Sequence, residues 1–535
     1  MTKVIKDSRL NGMEQVKNNK WSVCFAGEAG KGIDKTAVLF GKILASYGYS
    51  VFIYRDYGSL IRGGHNFSIA TISQTDILSH EDSFDLLLAY DKNSVEIHKD
   101  GLKIGGQVFA ANDFGIEAIN LNQDKITKES GASGNFGNNI GCGALMKHFG
   151  IPFEFFAAAA EKQFGDRADI VKELGRIGYE EATTKFQLPL GDEKRIVIDG
   201  SEAGAKAISA IGGIPAFYYP MTPATGLFER LQEDSKCDVF QVDDEVGAIN
   251  AAAGAAFSRG IALTGSSGGG IALMGEGVSF IGIAELPVVI YFAQRQGPST
   301  GVPTYSEQAD LKFALNLGPG EFPKIVVSAG DAKGMYELTE EAFYLAQKYR
   351  CPVTILSDKN IAENYFSVRE SDLKLREIAK DLQRGALPGL TTVRASSYEH
   401  NEEGFTIEDA ESVQAANERR LKKMELIKED VNDNFEMTRT YGEGENLIIF
   451  TGSVKGAIID NLPENYRAME IKYLEPFPGE TVAAEIKKAK RAMTVEMNAT
   501  GLLSQIIAEK TGLATEKLLK YDGRPIVKKD LEKLS

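Results

Sequence analysis

From Trp21 onward, short apolar runs alternate with amphipathic stretches. The run WSVCFAG meets a glycine-rich turn at Gly27, Gly30 and Gly32. It is followed by KTAVLFGKILASYG, whose apolar positions recur at helical spacing. YSVFIYRDYG, FSIATIS and FDLLLAYD read as three further strands. This rhythm predicts a parallel or mixed sheet with helices on its faces, closing near Gln187 before the polar linker LPLGDEK. The pattern restarts at RIVIDGSEAGAKAISAIGG, again strand, glycine turn and helix. ALTG, PVVIYFA, KIVVSA and PVTILSD are continuous apolar runs, the signature of parallel strands buried on both faces. The stretch from Ser367 to Gly444 is charged, helical in tendency and poor in apolar runs, and a last α/β pattern begins at NLIIFTGS.

The expected fold class is therefore α/β, in several modules with open, mostly parallel sheets. The expected division is a flexible tail over 1–20, a first module over 21–190, a second over 195–366, a charged helical connector over 367–444 and a C-terminal α/β module over 445–535. A length of 535 residues fits this division, since domains hold about 150 residues each.

Charge and cysteine content narrow the function classes. The net charge is −15, so the chain gains nothing from a phosphate backbone, and nucleic acid is not expected as a partner. No apolar stretch is long enough to span a bilayer, and the charged N-terminus has no apolar centre, so no membrane association and no signal peptide are expected. The four cysteines, Cys24, Cys142, Cys237 and Cys351, stand singly. That spacing predicts neither a disulfide framework nor a metal or iron–sulfur site built by this chain alone, and it fits a reduced, cytoplasmic protein.

Five polar segments could carry chemistry, and each has two readings. Gly27-Glu-Ala-Gly30-Lys-Gly32 is either a tight strand-to-helix turn or an anion cradle on helix amides. Arg62-Gly63-Gly64-His65-Asn66 is either a polar surface loop or a phosphate clamp around the Arg62 fork. In Tyr219-Pro220-Met221-Thr222-Pro223 two prolines fix a turn or present the Thr222 hydroxyl rigidly. Asp243-Asp244-Glu245 either caps the Ala-rich helix that follows or places one acid inside a site. Arg295-Gln-Gly-Pro-Ser-Thr-Gly301 is either a rigid structural loop after a buried strand or a donor-rich ligand loop, at the strand end where open α/β sheets bind ligands.

Taken together and in order, these segments resemble the 2-oxoacid:ferredoxin oxidoreductases, in the form with a γ module fused ahead of an α module. The γ-like resemblance rests on GEAGKG and DYGSLIRGGHN. The α-like resemblance rests on DGSEAGAKAI, YPMTPAT, DDEVGAINAAAGAAFSRG, ELPVVIYFAQRQGPSTGVPT and LAQKYRCPVTILSD, followed by TGSVKGAI, EPFPGE, VEMNATGLL and YDGRPI. The resemblance implies a transketolase-like domain that binds the pyrimidine half of thiamine diphosphate. It implies that Glu245 is the catalytic acid at the aminopyrimidine ring nitrogen, with Pro220 and Thr222 also beside the cofactor. Thr222 and Arg295 are implied to hold the 2-oxoacid. An arginine suits this task because its planar fork matches a carboxylate.

The γ-like module is implied to lie beside the path of coenzyme A, which makes Arg62, Gly63, Gly64, His65 and Asn66 contact candidates. Met221, Ala224 and Gly269 depart from the family's usual Ile, Ser and Pro. No GDG…N segment for magnesium and pyrophosphate occurs in the chain. Magnesium and the iron–sulfur cluster are therefore expected on a β-like partner chain, with ferredoxin as electron acceptor. The implied activity is oxidative decarboxylation of a 2-oxoacid, 2-oxoglutarate in particular, to an acyl-CoA. The alternatives are an indolepyruvate, branched-chain or pyruvate enzyme, or a non-catalytic assembly subunit.

Overall fold

The computed structural model describes residues 20–58, 64–132, 134–234, 236–379, 396–401 and 403–534. The expected tail up to residue 19, Arg62 and Gly63, and the part of the expected connector over 380–395 lie outside the described residues. The chain divides into two compact units. One runs to Val197 and takes in Tyr365–Arg369, and the other holds Ile198–Asn364 and Glu370–Ser535.

The first unit is built on an eight-stranded sheet. Its strands are β1 (Lys20–Glu28), β2 (Ser50–Tyr57), β3 (His65–Ser73), β4 (Phe84–Ala89), β5 (Leu102–Ala110), β6 (Ile119–Asn120), β7 (Ile196–Asp199) and β14 (Tyr365–Val368), in the order β6-β5-β4-β1-β3-β2-β14-β7. The sheet is mixed: β4 runs parallel to β1, while β3 lies antiparallel to both β1 and β2. The strand–helix–strand start therefore does not make adjacent parallel strands. A short connection returns the chain from β2 into β3, and short connections join antiparallel neighbours.

Phe25, Phe40, Leu88, Ile140, Phe149 and Phe156 fill the unit's core. Two of the unit's helices, Asn138–His148 and Ala168–Glu181, cross backbone to backbone. A Cβ at Gly143 would stand 1.9 Å from the Gly175 carbonyl oxygen, and one at Gly178 would stand 1.9 Å from that of Ile140.

The second unit carries two sheets. The larger joins β8 (Pro215–Tyr218), β9 (Asp238–Gln241), β10 (Ala262–Ser266), β11 (Val288–Gln294), β12 (Ile325–Ser328), β13 (Val353–Asp358) and β18 (Tyr473–Glu475) in the order β18-β12-β13-β11-β10-β8-β9. All neighbours are parallel except β18, which pairs antiparallel with β12. Every residue of β11 is buried, as a continuous apolar run between two parallel neighbours requires.

The smaller sheet joins β15 (Thr438–Tyr441), β16 (Asn446–Phe450), β17 (Tyr466–Ile471), β19 (Ala492–Glu496) and β20 (Glu516–Leu519) in the order β15-β17-β16-β19-β20. Here only β15 is antiparallel. One apolar cluster serves both sheets, with Ile290, Val326 and Leu356 packed in the same core as Leu447, Ile449 and Met469. Only Lys472 separates β17 in the smaller sheet from β18 in the larger. Between residues 396 and 444 the main element is the helix Ala410–Asn434, whose Lys423 reaches Glu285.

Candidate active site at the carboxyl ends of four parallel strands

Successive strand ends of the larger sheet deliver the polar segments to one edge. The chain leaves β8 into Tyr219-Pro220-Met221-Thr222, and leaves β9 into Asp243-Asp244-Glu245. It leaves β10 through Ser267 into the helix Gly268–Leu273, and leaves β11 into Arg295. This is the crevice that an open parallel sheet offers to ligands.

The three acids ahead of the helix Glu245–Arg259 divide their roles. Asp244 caps the helix, its carboxylate accepting from the Gly247 amide at 2.6 Å. Glu245 is thereby released from capping. It is 4% exposed, and its Oε1 has no hydrogen-bond partner among the described residues. A buried acceptor without a partner is costly, and it marks a place where a donor is to be supplied. The start of the helix Gly268–Leu273 packs closely against it: a Cβ at Gly270 would stand 2.5 Å from Glu245 Oε1 and 2.1 Å from Ser266 Oγ, so only glycine fits beside the acid. Ser266 Oγ in turn lies 3.6 Å from the Met221 sulfur.

Arg295 is half-buried, and its Nη1 donates to the Thr222 carbonyl oxygen at 2.7 Å. The link therefore runs through the Thr222 backbone. Burial lowers the Arg295 pKa from its ordinary value. Pro220 is exposed. A cleft of about 370 Å³ opens here, lined by Gly268, Gly269, Arg295, Ser299, Asp310 and Phe313 among others. Glu245 is not in its lining; the helix start carries Gly268 and Gly269 in the lining and Gly270 against Glu245.

The loop after Arg295 is held in a tight form. Ser299 has φ +57°, a left-handed conformation uncommon for a residue with a Cβ, and Gly301 has φ +52°. A Cβ at Gly301 would stand 2.0 Å from the Gln296 carbonyl oxygen, so glycine is required there.

Three residues of this region escaped the sequence reading. The Glu307 carboxylate accepts from the Gly297 amide at 3.1 Å. Gln308 is buried. The Asp310 carboxyl is pushed up to about 6, first by burial and then by the nearby charge of Glu307. The signal was available: SEQADL is a polar stretch with two acids directly after the glycine–proline loop, where solvent exposure is the ordinary expectation.

In the first unit, the glycine turn and the start of β3 are brought together. Glu28 pairs with His65 and Gly27 with Asn66, and the Ala29 amide donates to the Gly64 carbonyl oxygen at 2.7 Å. Asn135 and Asn138 donate their side-chain amides to the carbonyls of Gly30 and Lys31. His65 Nε2 and His98 Nε2 lie 2.8 Å apart. Burial depresses both pKa values, that of His98 to about 4, so the pair is neutral, one ring donating and the other accepting. Gly64, His65 and Asn66 thus belong to this unit, while Thr222, Glu245 and Arg295 gather in the other.

A family profile described as pyruvate flavodoxin/ferredoxin oxidoreductase, thiamine diphosphate-binding, matches residues 210–418. A second, described as pyruvate ferredoxin/flavodoxin oxidoreductase, matches residues 22–179. A 2-oxoacid:ferredoxin oxidoreductase subunit alpha of a Sulfolobus species is 29% identical, the alignment covering 95% of each chain.

The chain belongs to the 2-oxoacid:ferredoxin oxidoreductase family, as an alpha subunit.

It is thus a subunit of an oxidoreductase with a thiamine diphosphate-binding domain, and Thr222, Glu245 and Arg295 all fall within that domain's matched span. Among other relatives, the 2-oxoglutarate synthase subunit KorA of Archaeoglobus fulgidus is 29% identical over 63% of this chain and 96% of its own. The fold matches that of a 2-oxoglutarate:ferredoxin oxidoreductase from Magnetococcus marinus, with a TM-score of 0.85, 24% identity, and coverage of 97% of this chain and 99% of that one. That structure holds 2-oxoglutarate, coenzyme A and succinyl-CoA. The oxidoreductase alpha subunit has no helix, among the described residues, long and apolar enough to cross a membrane.

Proposed function

We propose that this alpha subunit supplies the pyrimidine-side acid and the 2-oxoacid contacts of a thiamine diphosphate site that a partner chain completes. The observation that carries the reading is the buried Oε1 of Glu245, which has no hydrogen-bond partner among the described residues. The residues fit the cofactor. A ring nitrogen needs a carboxyl group out of water, and Glu245 is buried with its Oε1 unpartnered among the described residues. Thiamine diphosphate, when bound, supplies the electron sink for decarboxylation.

Glu245 turns its Oε1 to the aminopyrimidine ring nitrogen and shares a hydrogen bond with it, with Pro220 and Thr222 flanking the cofactor. Arg295 is steadied by the Thr222 carbonyl and turns the rest of its fork to the 2-oxoacid carboxylate, with Thr222 alongside. In the first unit, Arg62, Gly63, Gly64, His65 and Asn66 contact coenzyme A. The substrate is 2-oxoglutarate, in keeping with relatives of that name. Magnesium and an iron–sulfur cluster reside on a β subunit, electrons pass to ferredoxin, and the complex works in the cytoplasm. The domain division is that expected from the sequence, with 21–190 as the γ-like domain, 195–366 as the pyrimidine-binding domain, 367–444 as connector and 445–535 as the C-terminal domain.

Glu245→Gln tests the reading. In the assembled complex it is expected to abolish 2-oxoacid-dependent viologen reduction while leaving assembly intact on size exclusion. Retained activity would return Glu245 to a helix-terminal acid.

A further inference from the structure

The smaller sheet of the second unit has its own topological switch point. Its order places β17 on one side of β16 and β19 on the other, with β16, β17, β19 and β20 parallel. The carboxyl ends of β16 and β19 therefore frame the crevice where such a sheet takes a ligand. That crevice is filled by a side chain of the same polypeptide.

Gln308 is 3% exposed. Its Nε2 donates at 3.0 Å to the carbonyl oxygen of Thr451, the residue after β16, and lies 3.4 Å from Asp358 Oδ2. Its Oε1 accepts from the amide of Met497, the residue after β19, at 3.4 Å. Its backbone amide donates to the Met497 carbonyl at 2.7 Å, and its carbonyl accepts from Asn498 Nδ2 at 3.3 Å. A Cβ at Gly452 would stand 2.4 Å from Gln308 Nε2, so the receiving turn is shaped around the carboxamide.

The segment after β20 grips the same loop a second time. The Ser306 amide donates to the Gly523 carbonyl at 3.2 Å, and the Arg524 guanidinium lies 3.7 Å from the centre of the Tyr305 ring. The gripped residues bracket the cleft: Glu307 holds the Gly297 amide and Asp310 lines the cavity.

We infer that Gln308 is a positioning residue, and that the C-terminal sheet serves the reaction by holding the loop Arg295–Asp310 in its switch-point crevice rather than by binding a ligand of its own. The inference rests on the reading of Arg295 as a 2-oxoacid contact. Gln308 touches no substrate; it fixes the backbone from which Arg295, Ser299 and Asp310 reach the cleft.

Gln308→Glu has a signature that a merely structural residue lacks. Protonated, the glutamic acid keeps an O–H donor for the Thr451 carbonyl. Ionised, it loses the donor and faces the buried Asp358 carboxyl. The KM for the 2-oxoacid, measured on the assembled complex, is expected to rise on the order of tenfold or more at alkaline pH and to recover as pH falls, since small misplacements of binding groups cost this much. The KM for coenzyme A should not change. Gln308→Met, similar in volume but without a donor, should show the same rise with no recovery on acidification.

A flat pH profile for Gln308→Glu, or equal changes in both KM values, overturns the inference. It does so independently of the reading of Arg295, which Arg295→Ala tests separately. Should the Gln308 variants fail to assemble, the exposed Arg524→Leu decides. It should raise the 2-oxoacid KM alone, and an unchanged value overturns the inference.

Discussion

Adjacent acids show how finely the chain assigns chemistry to single residues. Asp244 spends its carboxylate on the helix cap and leaves that of Glu245 without a partner in the interior. Capping preference alone does not tell the two apart, because it concerns residue type and says nothing about which neighbour turns inward; only the family resemblance pointed to Glu245. Arg295 and Thr222 were legible individually, but their mutual hydrogen bond was not, since it uses a backbone carbonyl. Arg295→Ala is expected to raise the KM for the 2-oxoacid by the equivalent of about 1.5–3 kcal/mol, the worth of a charge-assisted contact, and to leave that for coenzyme A alone. Steady-state kinetics with each substrate varied in turn checks this, and parallel changes would make Arg295 structural. Asp310 gives a pH prediction. Its carboxyl is raised from 3.8 to about 6, so between those values the folded chain keeps a proton that the unfolded chain has lost. Stability from this site is whole at the acid end and is lost as pH rises through about 6, by roughly 3 kcal/mol at most. Asp310→Asn cannot ionise, so its thermal midpoint relative to the parent should climb as pH rises through that window. A constant difference would contradict the assignment.

At the scale of elements, the long apolar runs were the legible part. WSVCFAG, FDLLLAYD, PVVIYFA, PVTILSD and NLIIFTGS all became strands, because four or more buried apolar residues in a row have few other homes in an α/β protein. β8 and β9 were not singled out, although they flank the site. Each has only four residues, and β9 is mostly exposed at the sheet edge, so neither gives a periodic signal. The antiparallel insertion of β3 between β1 and β2 was also hidden, since an apolar run carries no direction. Packing of helices on glycine was likewise invisible, because closeness depends on the partner. Gly178→Ala forces a Cβ to within 1.9 Å of the Ile140 carbonyl oxygen and is expected to destabilise the first unit by about 1–3 kcal/mol. Gly254→Ala, in the helix Glu245–Arg259 with nothing within 4 Å of the added carbon, should have the opposite sign, a gain of up to about 1 kcal/mol. Thermal melts of the two variants beside the parent check both signs.

For the molecule as a whole, the family resemblance carried more than periodicity could, since no hydropathy pattern points to a cofactor. The alpha subunit alone is expected to bind thiamine diphosphate weakly, because the GDG…N segment that holds magnesium and pyrophosphate is not in its sequence. Calorimetry on the single chain with magnesium checks this, and tight binding without a partner would refute it. Within the second unit, the two sheets share one apolar cluster and are stitched through Lys472, where β17 of one sheet gives way to β18 at the border of the other. This stitch bears on truncation and recombination of the gene. A polypeptide ending before Tyr466 would lose not only the smaller sheet but also the strand that shields the outer hydrogen-bonding row of β12. Bare edges invite pairing with other chains, so a premature stop there is a route to aggregation rather than to a shorter working enzyme, and crossovers that keep the protein soluble must fall outside the span from β12 to β18.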